Sequence, residues 1–443
     1  MRSAAFGLVA LTWSAAAAAQ DTSAVDRGVR VGITYSSGYR PGVALLPGAG
    51  QDSVRAILQR DLDYSDRFEL ILVPGPDAPA AGPRAIKPGG GSLPVNYGLY
   101  VSLGAAYAIE LVPADTVLVV RLHDVVAGQL RREERVRVPA TTTPDFRLQV
   151  HRLADEIVRW ITGQPGVAAT QLAYVSDGRV YLVESDGARP YAVTSDAETA
   201  LSPVWSPDGR RLAFTQLNAG TGPIILLDLA TGTRRVVPST GQRLNITPGF
   251  SPDGRLLAFA RIDEDGTDVY VVNITDWCCA QRLTVGRYAD NLSPTFSPDG
   301  RRIAFISTRS GLPQVYVMAA DGTDQELLAP FDYGVTGSSN GPEWSSDGAN
   351  LVFHRDVAGS PQIFIMDLAG RRVRQLTSTG RNEDPTWAPD GRHLAFVSDR
   401  SGRRQLWVID IETGRIRQLQ APGTVRLPSW SRRLVEAAAI SKP

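Results

Sequence analysis

Cysteine is nearly missing from this chain: among 443 residues only Cys278 and Cys279 carry a thiol, and they are adjacent. A disulfide framework is excluded as the support of the fold, because a vicinal bridge is strained and joins no distant segments. A cysteine metal centre lacks further ligands nearby, so the pair reads as two loop thiols. Histidine is scarce too. His123, His151, His354 and His393 stand apart without ligand spacing, which favours structural or surface roles over metal binding. Lysine occurs only at Lys87 and Lys442, an arginine bias that reads as genomic base composition. Formal net charge is zero, which gives a nucleic-acid role no electrostatic support. Beyond the first twenty residues, no apolar run approaches the ~18 residues that cross a bilayer.

What is present begins with Met1-Arg2-Ser3 and an Ala/Leu/Val-rich run to Ala17-Ala18-Ala19. Charged start, apolar centre and small residues at the end make residues 1–19 a predicted secretory signal peptide, and the mature protein a soluble, exported one.

A phrase then recurs: Ser206-Pro207-Asp208-Gly209, Ser251-Pro252-Asp253-Gly254, Ser297-Pro298-Asp299-Gly300, Ser345-Ser346-Asp347-Gly348 and Ala388-Pro389-Asp390-Gly391, with starts 45, 46, 48 and 43 residues apart. Proline presets one turn dihedral, aspartate bonds its own backbone and glycine accepts positive φ, so each phrase is a hairpin turn. A proline-led triplet such as Pro203-Val204-Trp205 precedes it, and Leu-Ala-Phe or a relative follows. A third alternating stretch comes next, as in Val315-Tyr316-Val317-Met318, and a fourth often ends in Leu-Thr, as at Leu283-Thr284. Four short strands per repeat of this length predict a propeller blade.

The second-strand pattern occurs six times, starting at Leu172, Leu212, Leu257, Ile303, Leu351 and Leu394. Its first copy lacks a preceding proline-led strand, and Pro428-Ser429-Trp430-Ser431 supplies one at the far end. Residues 167–431 are therefore expected to form a six-bladed all-β propeller closed by its C-terminal strand, with residues 432–443 as a tail. Such closure removes an exposed sheet edge.

Residues 20–163 read as a small α/β domain. Val29 to Ile33, Gly42 to Leu46 and Phe68 to Val73 are predicted strands, and Val117 to Leu122 with Val125 to Val138 a hairpin. Helices are expected from Asp52 to Leu62 and from Asp145 to Ile161, the latter stopped at Gly163. The Pro/Gly/Ala stretch 74–94 is a predicted flexible loop, and Gly163 to Gly166 a hinge to the propeller.

Candidate chemistry is thin. Gly337-Ser338-Ser339-Asn340-Gly341 matches a nucleophile elbow, yet a blade strand and not a helix follows it. The turn aspartates recur with the repeat, which gives them a local bonding role. No catalytic residue, cofactor or metal ligand is assigned. What remains is the ring of loops entering the innermost strands at one mouth of the channel: Ser202, Asn245, Ile246, Asp290, Asn291, Leu292, Asn340, Asn382, Glu383, Asp384 and Arg426. Amides, acids and short apolar groups suit the docking of a protein; solvated turns are the plain alternative.

The stretch Ser37-Gly38-Tyr39-Arg40-Pro41-Gly42-Val43-Ala44-Leu45-Leu46-Pro47, the helix from Asp52 with Arg67-Phe68 after it, and the six repeats together resemble the TolB family of the Tol-Pal system of Gram-negative envelopes. The resemblance implies a non-catalytic periplasmic scaffold. Its implied partners are Pal, a peptidoglycan-associated lipoprotein, at the propeller mouth, and TolA, an inner-membrane-anchored protein, at residues 21–34. Asn245, Asn291 and Asp384 are expected in the lipoprotein contact, and the protein is expected to be a monomer. A small-ligand or carbohydrate sensor using the channel stays open. A propeller peptidase or lyase is disfavoured, since a peptidase needs a following hydrolase domain.

Overall fold

A computed structural model describes residues 40–46, 51–72, 95–218, 221–237, 243–264, 266–277, 279–286, 289–328 and 337–434. The predicted signal peptide, the strand at Val29, the loop 74–94 and Cys278 lie outside the described residues.

Among the described residues the N-terminal region is a five-stranded sheet carrying three helices, in chain order β1 (Gly42–Leu45), α1 (Asp52–Tyr64), β2 (Glu69–Leu72), α2 (Tyr97–Ser102), β3 (Ala105–Ala114), β4 (Val117–Asp124), β5 (Gln129–Val136) and α3 (Asp145–Thr162). Strand order is β2-β1-β3-β4-β5, with β1 parallel to both neighbours and the remainder antiparallel. The apolar faces of α1 and α3 pack with β1, β3 and β4 around Leu58, Leu62, Ile109, Val120 and Ile157. Gly163 ends α3 at φ 80, the left-handed cap that glycine permits. Sequence reasoning missed α2 and β3.

Six four-stranded sheets follow. Their innermost strands are Thr199–Trp205, Leu244–Phe250, Asn291–Phe296, Ser339–Trp344, Asn382–Trp387 and Val425–Trp430. We number the blades one to six from the sheet holding Gln171–Ser176, Arg179–Glu184 and Tyr191–Ala192, whose innermost strand is Val425–Trp430. Trp430 pairs with Leu172 and Ser429 with Ala173, so the expected clasp closes the ring. The Trp430 indole donates to Thr170 Oγ1 at 2.8 Å and Ser431 Oγ accepts from Gln171 N–H at 2.9 Å.

The repeat works as its residues require. Tyr174, Phe214, Phe259, Phe305, Phe353 and Phe396, one from each second strand, are among the largest fully buried side chains, so each blade hangs on one aromatic anchor. In the turns, Ser251 Oγ lies 2.6 Å from Asp253 Oδ1, which also accepts from Arg255 N–H at 3.0 Å, while Gly254 sits at φ 68. The Ser251 bond comes first in holding the Asp253 carboxyl below its ordinary range. Asp253→Ala is expected to lower stability by about 1 kcal/mol, checked by chemical denaturation. The Leu-Thr ends have a cause too: Thr284 and Thr377 hydroxyls accept from Val269 and Ile363 N–H, each at 2.9 Å.

The α/β domain rests on the propeller end where the Ser-Pro-Asp-Gly turns lie, against blades one and six. Asp66, fully buried just after α1, meets His393 Nε2 at 3.2 Å, Arg415 at 3.0 Å and Arg417 at 2.8 Å, while His393 Nδ1 meets Asp390 at 2.7 Å. This explains why the fifth turn departs from the repeat, its Asp390 being committed to His393. A second network joins His151 to Asp61 at 2.7 Å and Arg147 to Glu184 at 2.6 Å, with Arg60 on Asp186 at 2.9 Å. Burial would lower the His151 pKa, yet Asp61 with Glu184 lifts it to about 10.

Two expectations change here. The stretch from Gly163 to Gly166 is no free hinge: Gly166 N–H donates to Asp155 O at 3.3 Å, and Ala168 and Ala169 N–H donate to the Asp155 carboxylate at 2.7 and 3.1 Å. A Cβ at Gly166 would stand 2.5 Å from Asp155 Oδ1, so the close approach needs glycine. The tail begins later than residue 432, because Leu434 is buried, donates N–H to Ala169 O at 2.9 Å and accepts from Arg152 at 3.2 Å.

Candidate partner-binding mouth of the propeller

Every innermost strand is interrupted by a bulge at the same place, seen as a register shift against the second strand. The bulged residues Ser202, Thr247, Ser293, Gly341, Asp384 and Leu427 have φ of 50°, 50°, 52°, 59°, 52° and 50°, and each precedes a proline. Left-handed backbone is costly for residues with a Cβ, and repeating it in all six blades re-aims the chain at the channel. The bulge residues ring the mouth away from the α/β domain. Below them a channel cavity of about 370 Å³ is lined by the prolines and by Val204, Thr295, Glu343 and Ser429.

Adjacent blades are bonded around this ring. Thr247 Oγ1 accepts from Ser293 N–H at 3.1 Å and Asp384 Oδ2 from Leu427 N–H at 3.2 Å. Deeper down, the indoles of Trp205, Trp344 and Trp387 donate to Ser429, Thr295 and Glu343 carbonyls at 3.2 Å each. Glu343 accepts from Trp387 N–H at 3.1 Å, and burial pushes its pKa up to about 7 against that bond, Thr386 and Arg432.

The structure divides the sequence-derived ring residues. Asp290 and Arg426 are exposed, and Ser202, Ile246, Leu292, Asn340, Glu383 and Asp384 are half-buried at the mouth. Asn245, Asn291 and Asn382 are not at the surface: each has 0% exposure. Their side chains turn into the blade, where each accepts from an arginine, Arg261 at 3.0 Å, Arg309 at 3.0 Å and Arg400 at 2.8 Å. Those guanidinium groups lie over aromatic pairs, Phe259 with Tyr270, Phe305 with Tyr316 and Phe396 with Trp407. The side chain that faces the mouth is instead the next one along, because strand side chains alternate. Ser339 of the elbow-like motif takes the same inward place, buried and accepting from Arg355 Nε at 3.1 Å.

Sequence reasoning missed the arginine-aromatic stacks and the joint to the α/β domain. Among the described residues two groups have metal-like geometry, Asp61 with His151 and Asp186, and Asp66 with His393 and Asp410. Arginines already pair with both: Arg60 and Arg147 with Asp186, Arg415 and Arg417 with Asp66, and Arg392 with Asp410. Cys279 is free and exposed.

A family profile described as the TolB beta propeller domain matches residues 158–434. The chain belongs to the TolB β-propeller family. This TolB-family chain is 34% identical over 203 residues to Tol-Pal system protein TolB of Methylobacillus flagellatus, covering 44% of each chain. It is 35% identical over 211 residues to the protein of the same name from Methylococcus capsulatus, covering 44% of this chain and 47% of that one. The chain thus spans about half the length of the curated relatives it matches. The crystal structure of TolB from Acinetobacter baumannii superimposes with a TM-score of 0.75 at 24% identity, over 90% of this chain and 98% of that one, a likeness of fold. No helix of the described residues is long and apolar enough to cross a membrane.

Proposed function

We propose that the protein is a non-catalytic periplasmic scaffold of the Tol-Pal system. It binds a Pal-like peptidoglycan-associated lipoprotein at the bulged mouth of the propeller and a TolA-like protein through residues 21–34, and it supports outer-membrane integrity and invagination during division. Family membership and the names of the relatives support the system. One observation carries the site: among the described residues nothing covers the mouth opposite the α/β domain, which presents half-buried Ile246 and Leu292 beside Asn340, Glu383 and Arg426. Apolar groups set among hydrogen-bonding ones, over a preshaped channel, fit a protein partner.

The test is calorimetry with the soluble domain of the cognate lipoprotein. Ile246→Glu with Leu292→Glu is expected to weaken binding by at least about tenfold, the effect of burying charge at an interface centre. Val236→Glu, on an outer strand where Val236 is 57% exposed, is expected to leave affinity unchanged. Equal affinity of the mouth double variant and the parent would refute the site.

A further inference from the structure

One mouth position breaks the internal repeat. The second-strand residues paired with the outward-facing ring are Val175, Thr215, Ala260, Ile306, His354 and Val397. Five are apolar or threonine; the sixth is an imidazole. His354 bridges two blades, since the backbone N–H of Asp384 in blade six points at its Nδ1 over 3.2 Å. A backbone N–H can only donate, so Nδ1 must be bare and the ring neutral with its proton on Nε2. Asp384 is the left-handed bulge residue of its blade and receives Leu427 N–H from blade one. His354 therefore holds one link in a chain of contacts running from blade five through six to one.

We propose that His354 is a proton-operated positioning residue of the mouth: the neutral ring holds the Asp384 bulge in the partner-receiving shape, and protonation at Nδ1 releases it. This rests on the docking reading above and adds its regulation. A proton on Nδ1 turns the acceptor into a second donor facing a donor, which leaves the Asp384 amide without its partner. The released imidazolium would meet the carboxylates facing it, Asp384 and Glu383 from blade six and Asp356 on its own strand, with Arg404 and Arg381 behind them. Burial lowers the His354 pKa against the pull of those carboxylates, which places the change on the acid side of the ordinary value of 6.5. Below it the mouth loses its set shape; above it the shape is complete.

The experiment compares binding of the soluble lipoprotein domain to the full chain at about pH 7.5 and about pH 5. The parent is expected to lose affinity by about tenfold on acidification, the scale of one unsatisfied buried amide. His354→Asn, whose Oδ1 accepts from the Asp384 amide at either pH, is expected to lose less than about twofold. Parallel losses in parent and variant overturn the inference while leaving the docking site intact. If neither binds at either pH, the docking reading fails, and imidazole nitrogen shifts of the free protein decide this one. A His354 that passes from the Nε2–H tautomer to imidazolium, with the Asp384 amide resonance shifting in step, sustains it; an Asp384 amide indifferent to pH overturns it.

Discussion

Deleting residues 425–431 is expected to lower the melting temperature by more than about 10 °C and to broaden the transition. The segment supplies the innermost strand of blade one, and its Trp430, 6% exposed, packs with Leu172, Tyr174 and Trp430's blade-six neighbours Val397 and Leu406. Without it the strand at Gln171–Ser176 becomes an open edge beside blade six, and the polar bonds to Thr170 and Gln171 vanish with it. Trp430→Ala alone removes the buried ring and is expected to cost about 3–5 kcal/mol. Differential scanning calorimetry decides between them: a deleted chain that melts with the parent's midpoint and sharpness would show that the ring does not depend on its clasp.

Asp66→Asn is expected to weaken the joint between the α/β domain and the propeller by about 3–5 kcal/mol, the penalty for stranding buried charge. Asparagine tolerates the φ of 54 at this position, so the substitution tests charge and not backbone. Burial works against the Asp66 anion, yet the His393 bond with Arg417 and Arg415 holds its pKa below 3.8. For His393, burial is likewise outweighed, by Asp390 and Asp66, and its pKa rises above 6.5. The signs set the window. A depressed carboxylate contributes fully above its ordinary value and loses its contribution as pH falls through the folded one; a raised histidine contributes fully below 6.5 and fades as pH rises through its folded value. The His151 contribution fades near pH 10 by the same rule. Docking is thus expected to be strongest from about pH 5 to 6.5. Hydrogen exchange measures it: protection at residues 392–417 should fall in Asp66→Asn while blades three and four keep theirs, and an unchanged pattern would show the network to be idle.

The ring was legible because its grammar repeats. Proline-aspartate-glycine turns, one aromatic per second strand and a missing partner strand at residue 172 gave blade number and closure. Side-chain direction at the mouth was harder. Asn245, Asn291 and Asn382 read as rim residues because they open the strands, but a single bulged residue beyond each changes the inward and outward parity. The same asparagines serve arginines on the next strand or in the turn just beyond it, a pairing that no local spacing reveals. In the α/β domain, β3 opens on Ala-Ala-Tyr-Ala, too weak an alternation to stand out, and α2 is one short turn-and-a-half capped by Asn96. Asp66, Arg417 and His393 are brought together from both ends of the chain, so their network could only appear once the fold was known.

The ring's joining contact ties Thr170 to Trp430, residues 260 positions apart. Blade one is thus started first among the six and finished last. A ribosome or an export channel delivering the chain from its N-terminus releases five sectors' worth of polypeptide before any circle can shut. Closure must wait for the final strand to arrive, and a contact of such sequence separation is slow to form.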